Sequence, residues 1–215
     1  MNYTINRAQI KENSKAQLGN NLFGNLWLMA LLVLFIQSAI MGIASYFYVG
    51  PLILVGPMSI GASLVFLKLV RGDNKIDIGD LFFSFSQRFG KDLLLGLMIS
   101  IFTALWSMLF IIPGIIKSYA YSMAYFISLD NPDWDWRQCI DESNRITQGH
   151  KGELFVLDLS FIGWYFVGSL CLGVGALWVA PYHMTAKANY YEVLKSNAAP
   201  AQPYAAPVEP VQPMQ

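Results

Sequence analysis

Residues 16–67 read AQLGNNLFGNLWLMALLVLFIQSAIMGIASYFYVGPLILVGPMSIGASLVFL and contain no Asp, Glu, Lys or Arg. About 20 apolar residues cross the hydrocarbon core of a bilayer at roughly 1.5 Å per residue, so the stretch is too long for one crossing. It reads as two helices joined at Val49-Gly50-Pro51. The pattern recurs twice: residues 93–129 carry only Lys117, and residues 154–186 carry only Asp158. Each window has the length for a pair of helices.

The spans read this way cover residues 22–48, 51–70, 93–112, 115–129, 153–172 and 175–194. Their internal turns, at 49–51, Pro113-Gly114 and 173–175, are short, uncharged and rich in Gly and Pro, which punctuate helices most strongly. The expected fold class is all-α: a polytopic transmembrane bundle of six helices in three hairpins, with cytoplasmic interfacial amphipathic helices. Residues 1–196 form the membrane domain. Residues 197–215, with Pro200, Pro203, Pro207, Pro210 and Pro213, form a Pro/Ala-rich tail that cannot build a core and is expected to be disordered and cytoplasmic.

Bulk composition agrees. The chain of 215 residues is 55% hydrophobic and 13% charged, unlike an ordinary soluble domain. Fourteen basic residues balance fourteen acidic ones, so the positive field of a nucleic-acid binder is absent. Cys139 and Cys171 offer neither a disulfide framework nor zinc spacing. The polar first twenty residues do not resemble a secretory signal, so the first apolar segment is expected to be retained.

Basic residues flanking spans mark the cytoplasmic side. Arg7, Lys11, Lys15, Lys68, Arg71, Lys75, Arg88, Lys91, Arg137, Arg145, Lys151, Lys187 and Lys195 all fall inside or near one face of a six-span arrangement, leaving Lys117 alone. Both termini are then cytoplasmic. A five-span alternative puts Lys187, Lys195 and the C-terminus outside, against this bias.

Two segments between the hairpins have their own patterns. Ile78, Leu81, Phe82, Phe85 and Phe89 recur at helical spacing, which predicts one amphipathic helix to Lys91 lying on the inner membrane surface with a buried aromatic face. Its role is open between lipid sensing, partner docking and packing on the bundle. After Asn131-Pro132, a helix capped by Asp133 is predicted to run to Gly149, with Trp134 and Trp136 at the interface and a mixed-sign surface of Asp135, Arg137, Asp141, Glu142 and Arg145. Aligning Pro57 with Pro181 sets Phe66 opposite Tyr190, a weak parallel repeat.

The polar residues inside the spans are the candidate site residues: Lys117, Tyr119, Asp158, His183 and Lys187. Asp158 lies about 7–8 Å beyond Glu153 along its helix, and Lys187 and Lys195 are its plausible ion-pair partners from the neighbouring helix. An ionisable group within a span belongs to a bundle interior or to an ion pathway, unless it snorkels or forms a structural pair. Lys117 is placed near the external end, snorkelling to lipid phosphate. His183 reads as a packed histidine with no metal-ligand partner at suitable spacing. No HExxH, GxSxG, Walker-type glycine loop or CxxC occurs, so no catalytic, cofactor or metal residues are assigned and an enzyme is not expected.

The stretch from Ile112 to Trp164, with LGVGALWVAPY and NRAQIKENSKAQLGNN, resembles the bacterial integral membrane family called domain of unknown function 975. The likeness covers residues 5 to 195. Its motifs here are Pro113-Gly114, Tyr119, Asn131-Pro132, Ser143, Gly149, Asp158, Gly163-Trp164 and Pro181-Tyr182. The resemblance implies a multi-pass plasma-membrane protein of mostly Gram-positive bacteria. Similarity to the membrane domains of some glycerophosphodiester phosphodiesterases implies an accessory or scaffold role. The alternative from the residues is a small-solute or lipid transporter using the fourth to sixth helices. Expected partners are the lipid bilayer and a protein at the cytoplasmic face, with no nucleic acid and no cofactor.

Overall fold

The computed structural model describes residues 6–20, 24–47, 50–73, 75–170 and 174–198, and among these residues the only regular elements are helices. In chain order they are α1 (Arg7–Gln17), α2 (Asn25–Ala44), α3 (Gly50–Val70), a 3-10 turn (Ile78–Phe82), α4 (Phe83–Gln87), α5 (Phe89–Leu109), α6 (Ile111–Tyr121), α7 (Ala124–Asp130), α8 (Trp136–Ile146), α9 (Lys151–Leu170) and α10 (Val174–Asn197). The consecutive pairs α2–α3, α5–α6 and α9–α10 pack against each other. The turn at 173–175, Cys171, the start of the first predicted span, part of the turn at 49–51 and the Pro-rich tail fall wholly or partly outside the described residues.

Among the described residues three helices are, by length and composition, able to cross a membrane: α2, α3 and α5. They do different work. α3 is the core helix, burying Met58, Ile60, Val65, Phe66, Leu67 and Leu69 against α2, α5, α7 and α10. α2 and α5 leave Phe35, Ile43, Leu105 and Leu109 exposed, an outward apolar surface that suits lipid rather than water. α9 and α10, with 20 and 24 residues, have the length of a crossing but carry Lys151, Glu153, Asp158, Lys187, Glu192 and Lys195.

The structure changes four readings of the sequence. The Ile78–Lys91 segment is not one amphipathic helix. Asp77 accepts from the Gly79 N–H to start a 3-10 turn, α4 follows, and α5 begins at Phe89. Leu81 is buried, but Phe82, Phe85 and Phe89 stay exposed and meet one another as tilted pairs with ring centroids 6.1 and 5.6 Å apart, so the expected buried aromatic face is absent. The helix spacing was real, yet Gly61 lets the Leu81 carbonyl come so close to α3 that a Cβ there would collide with it. That contact turns Leu81 inward and the rings outward.

The second change is in the middle hairpin. Its bend lies at Phe110, in extended conformation, while Pro113 and Gly114 sit inside the first turn of α6, where a missing N–H costs nothing. Third, the fourth predicted span is interrupted at Ser122 and Met123, between α6 and α7. Ser143 of α8 enters this break: the Met123 N–H donates to its Oγ at 3.2 Å, and its hydroxyl donates to the Ala120 carbonyl at 2.7 Å. Fourth, α8 is capped by Asp135 rather than Asp133, in a reciprocal capping box with Gln138.

The polar N-terminus forms α1 and packs on α10 through Ile10, Ser14 and Leu18. Asn6 caps its start, and Gly19 ends it with φ +92 in a Schellman turn, Asn20 N–H reaching Lys15 O. Gly72 ends α3 the same way. Pro57 and Pro181, aligned above, both lie inside helices, and Phe66 and Tyr190 are both fully buried.

Candidate functional site

Four of the five candidate residues meet. α9 presents Asp158, α10 presents His183 and Lys187 one turn apart, and α6 brings Tyr119 just before the helix break. His183 Nε2 lies 2.8 Å from Asp158 Oδ1. Lys187 Nζ lies 3.3 Å from Asp158 Oδ2, which also accepts from the Tyr119 hydroxyl at 3.1 Å. Both carboxylate oxygens are thereby engaged, as a charge in a mostly apolar bundle requires. Lys195, the other expected partner, goes elsewhere.

The site extends beyond the residues read from sequence. Tyr165 on α9 pairs with His183 Nδ1 at 3.3 Å, and Phe161 between them stacks on the imidazole at 4.6 Å between ring centroids. Lys11 of α1 holds its ammonium over the Phe161 ring, 4.6 Å from the ring centroid. Burial, and then Arg7, keep Lys11 below its usual pKa. The signal for Phe161 and Tyr165 was present: positions 158, 161 and 165 share one helix face. Nothing local pointed to Lys11, which arrives from the far end of the chain.

Lys117 does not join. Its ammonium sits 5.0 Å from the Trp106 ring centroid and 6.0 Å from that of Tyr121. Burial, and then the Lys117 charge, lower the pKa of Lys151 at the start of α9. A cation over ring faces is attracted by their quadrupoles.

A second polar network ties α3, α7 and α10 together. Arg71 forks onto Asp130 at 2.7 and 2.8 Å and reaches Glu192 at 2.8 Å. Lys195 and the Tyr191 hydroxyl each approach Asp130 Oδ2 at 2.7 Å. Burial acts to raise the Asp130 pKa, but hydrogen bonds from Lys195, Tyr191 and Arg71 outweigh it and hold the carboxyl below its usual value. Sequence reading missed this centre because its members lie up to 124 positions apart (195 − 71).

Other charges are also internally paired. Lys68 meets Asp80 at 2.7 Å, and Arg88 meets Asp92 at 3.4 Å while donating to the Ser128 carbonyl and hydroxyl. Of the mixed-sign surface expected on α8, Arg145 and Glu142 pair, and Trp136 packs on Phe102. Cys139 is buried, and burial pushes its thiol up to about 12, so it is chemically quiet. Among the described residues no three His, Cys, Asp or Glu side chains gather as a metal ion would need.

Several family-like motif positions identified in the sequence thus acquire physical roles. Tyr119 and Asp158 bond each other, Ser143 fills the helix break, and Gly149 turns the chain at φ +85 between α8 and α9. Comparison with curated proteins finds no match, and comparison with solved structures finds none either. A family model does match, over residues 1–117 and again over 108–198, the two stretches overlapping at the α5–α6 junction. With its apolar crossing-length helices and this coverage, the chain belongs to the family described as Protein of unknown function (DUF975).

Proposed function

We propose that this protein crosses the plasma membrane of a bacterium six times, with both termini cytoplasmic, and moves a small solute or lipid without covalent catalysis. The observation that carries the reading is the convergence of Tyr119, Asp158, His183 and Lys187 from three helices on one hydrogen-bonded centre. Ionisable groups inside a membrane bundle are expensive and gather where a substrate or ion passes. The α6–α7 pair adds support. Residues 111–130 cover about 30 Å at 1.5 Å per residue, enough for a crossing, and the break falls beside Tyr119. Discontinuous helices beside polar centres are a recurring feature of transporter binding sites.

The test is reconstitution of wild-type and Asp158→Asn protein in liposomes, followed by uptake of a panel of amino acids, sugars and a fluorescent phospholipid. The expected outcome is movement of one class by wild type, lost in the variant while size-exclusion profile and helical circular dichroism are kept. Equal movement by both proteins overturns the reading.

A second reading, an accessory or scaffold protein, draws on the Arg71–Asp130–Glu192–Lys195 network, which fastens the ends of α3, α7 and α10 into one stiff face. It expects Asp158→Asn to disturb assembly and leave every flux unchanged.

A further inference from the structure

Both histidines of the chain pair with carboxylates of α9, at successive levels of the α9–α10 seam. At the first level His150 Nδ1 lies 3.2 Å from Glu153 Oε2, and the Tyr190 hydroxyl donates to the same oxygen at 3.1 Å. At the second stand Asp158, His183, Tyr119 and Tyr165. Lys187 lies between them on α10, three residues from Tyr190 and four from His183. From Glu153 to Tyr165 the ladder rises about 18 Å.

The ladder is one-sided. Along α9 the carboxylates go from 29% exposed at Glu153 to 18% at Asp158, while His150 beside Glu153 is 14% exposed and His183 beside Asp158 is 17% exposed. Outward of Tyr165, residues 166–170 of α9 and 174–181 of α10 contain no Asp, Glu, Lys, Arg or His. A chain of titratable groups that starts at an aqueous face and ends inside a bundle is the layout of a proton-loading site rather than of a channel.

We propose that the α9–α10 seam is a proton pathway open to the Lys/Arg-rich face, which carries a proton from the His150–Glu153 pair to the Asp158–His183 pair. Before loading, His183 is the neutral tautomer with its Nδ1–H donated to the Tyr165 oxygen, and Lys187 compensates the Asp158 carboxylate. The arriving proton is taken from water by Glu153, crosses the rise of about 7–8 Å to Asp158 through water bridging the two levels, and comes to rest on His183 Nε2, facing Asp158 Oδ1. One proton leaves water and one imidazolium forms. The charges that face it are Asp158 on α9 and Lys187 on α10. Tyr119 of α6 and Tyr165 of α9 complete the shell, Phe161 offers its ring face, and Lys11 of α1 lies across that ring. Lys151 flanks the entrance beside Glu153.

This inference deepens the transport reading by naming the coupling ion. Because the chain has two histidines, they can be watched directly. Full-length protein with ring-labelled histidine is placed in sealed liposomes of known orientation, and isotope-edited infrared difference spectra are recorded after a pH jump on one side. His150→Gln assigns the remaining signal to His183. The expected result is conversion of His183 to imidazolium when the Lys/Arg-rich side is acidified. Glu153→Gln slows this conversion by about 10²-fold, the loss typical of removing a group that relays protons. Tyr165→Phe alters the His183 Nδ1–H frequency, whereas Tyr190→Phe, which takes a hydrogen bond from Glu153 and does not touch His183, changes the loading rate alone, so access is still read if Glu153→Gln folds poorly. Absence of a His183 response, a response only to the opposite side, or an unchanged rate in folded Glu153→Gln overturns the pathway. If His183 loads as described while Asp158→Asn leaves solute movement intact, the pathway stands and the transport reading falls.

Discussion

Ser143 shows how one hydroxyl can hold a break in a helix. It accepts from the Met123 N–H and donates to the Ala120 carbonyl, with Ser143, Ala120 and Met123 all fully buried. Ser143→Ala takes a partner from each, and a buried polar group left unpaired costs about 1–3 kcal/mol. Thermal unfolding in detergent is expected to shift down accordingly, while Ser143→Thr keeps the hydroxyl and recovers part of the loss. Asp130 is the second residue of this kind, since its removal strands Arg71, Lys195 and the buried Tyr191 hydroxyl. Arg71 and Lys195 are 42% and 49% exposed, so solvent screening reduces the loss, and Asp130→Asn is expected to cost about 1–3 kcal/mol at neutral pH. The sign with pH follows from the depressed carboxyl. Its folded pKa lies below the unfolded value, so its contribution is complete above about pH 4 and disappears as pH falls through the folded pKa. The stability gap between wild type and Asp130→Asn, measured from pH 7 to 3, should therefore be widest at the upper end and narrow toward the lower.

α3 and α5 cross where Gly56 meets Gly96. A Cβ on Gly56 would strike the Asp92 carbonyl and the Gly96 Cα, both backbone atoms that cannot swing aside. Small residues let helices in a membrane approach this closely and gain dispersion contacts. Gly56→Ala is expected to lower the melting temperature, with a cost of about 1–3 kcal/mol typical of overpacking. Gly42 in α2 is the internal comparison: a Cβ there meets nothing within 4 Å, and Gly42→Ala should be neutral or slightly stabilising. The two glycines look alike in sequence, each inside an apolar helix. What separates them is the presence of a facing backbone. The same blindness explains α4 and the 3-10 turn, where spacing alone indicated one amphipathic helix and the Gly61–Leu81 contact decided otherwise.

Placed in a bilayer as six crossings, the molecule puts residues 71–91, 131–150 and the end of α10 on one face. Cysteine labelling tests this. A Ser196→Cys variant, made in a Cys139→Ala, Cys171→Ala background, is expected to react with an impermeant maleimide only when the cytoplasmic face is opened. Labelling from outside intact cells would require the five-span arrangement. Charge-poor windows, Gly and Pro turns and the Lys and Arg that flank those windows were legible along the chain, because hydropathy and helix propensity depend on neighbours within a turn or two. Tyr119, Asp158, His183 and Lys187 could likewise be singled out one at a time, as polar groups in apolar company. Their meeting could not. Asp158 had two lysine candidates on α10, Lys187 and Lys195, and tertiary packing gave it Lys187 while sending Lys195 to Asp130. Which faces turn toward each other is set by long-range contacts such as Ser143 in the α6–α7 break and Lys11 over Phe161. Those contacts join residues far apart in the chain, and no local pattern carries their register.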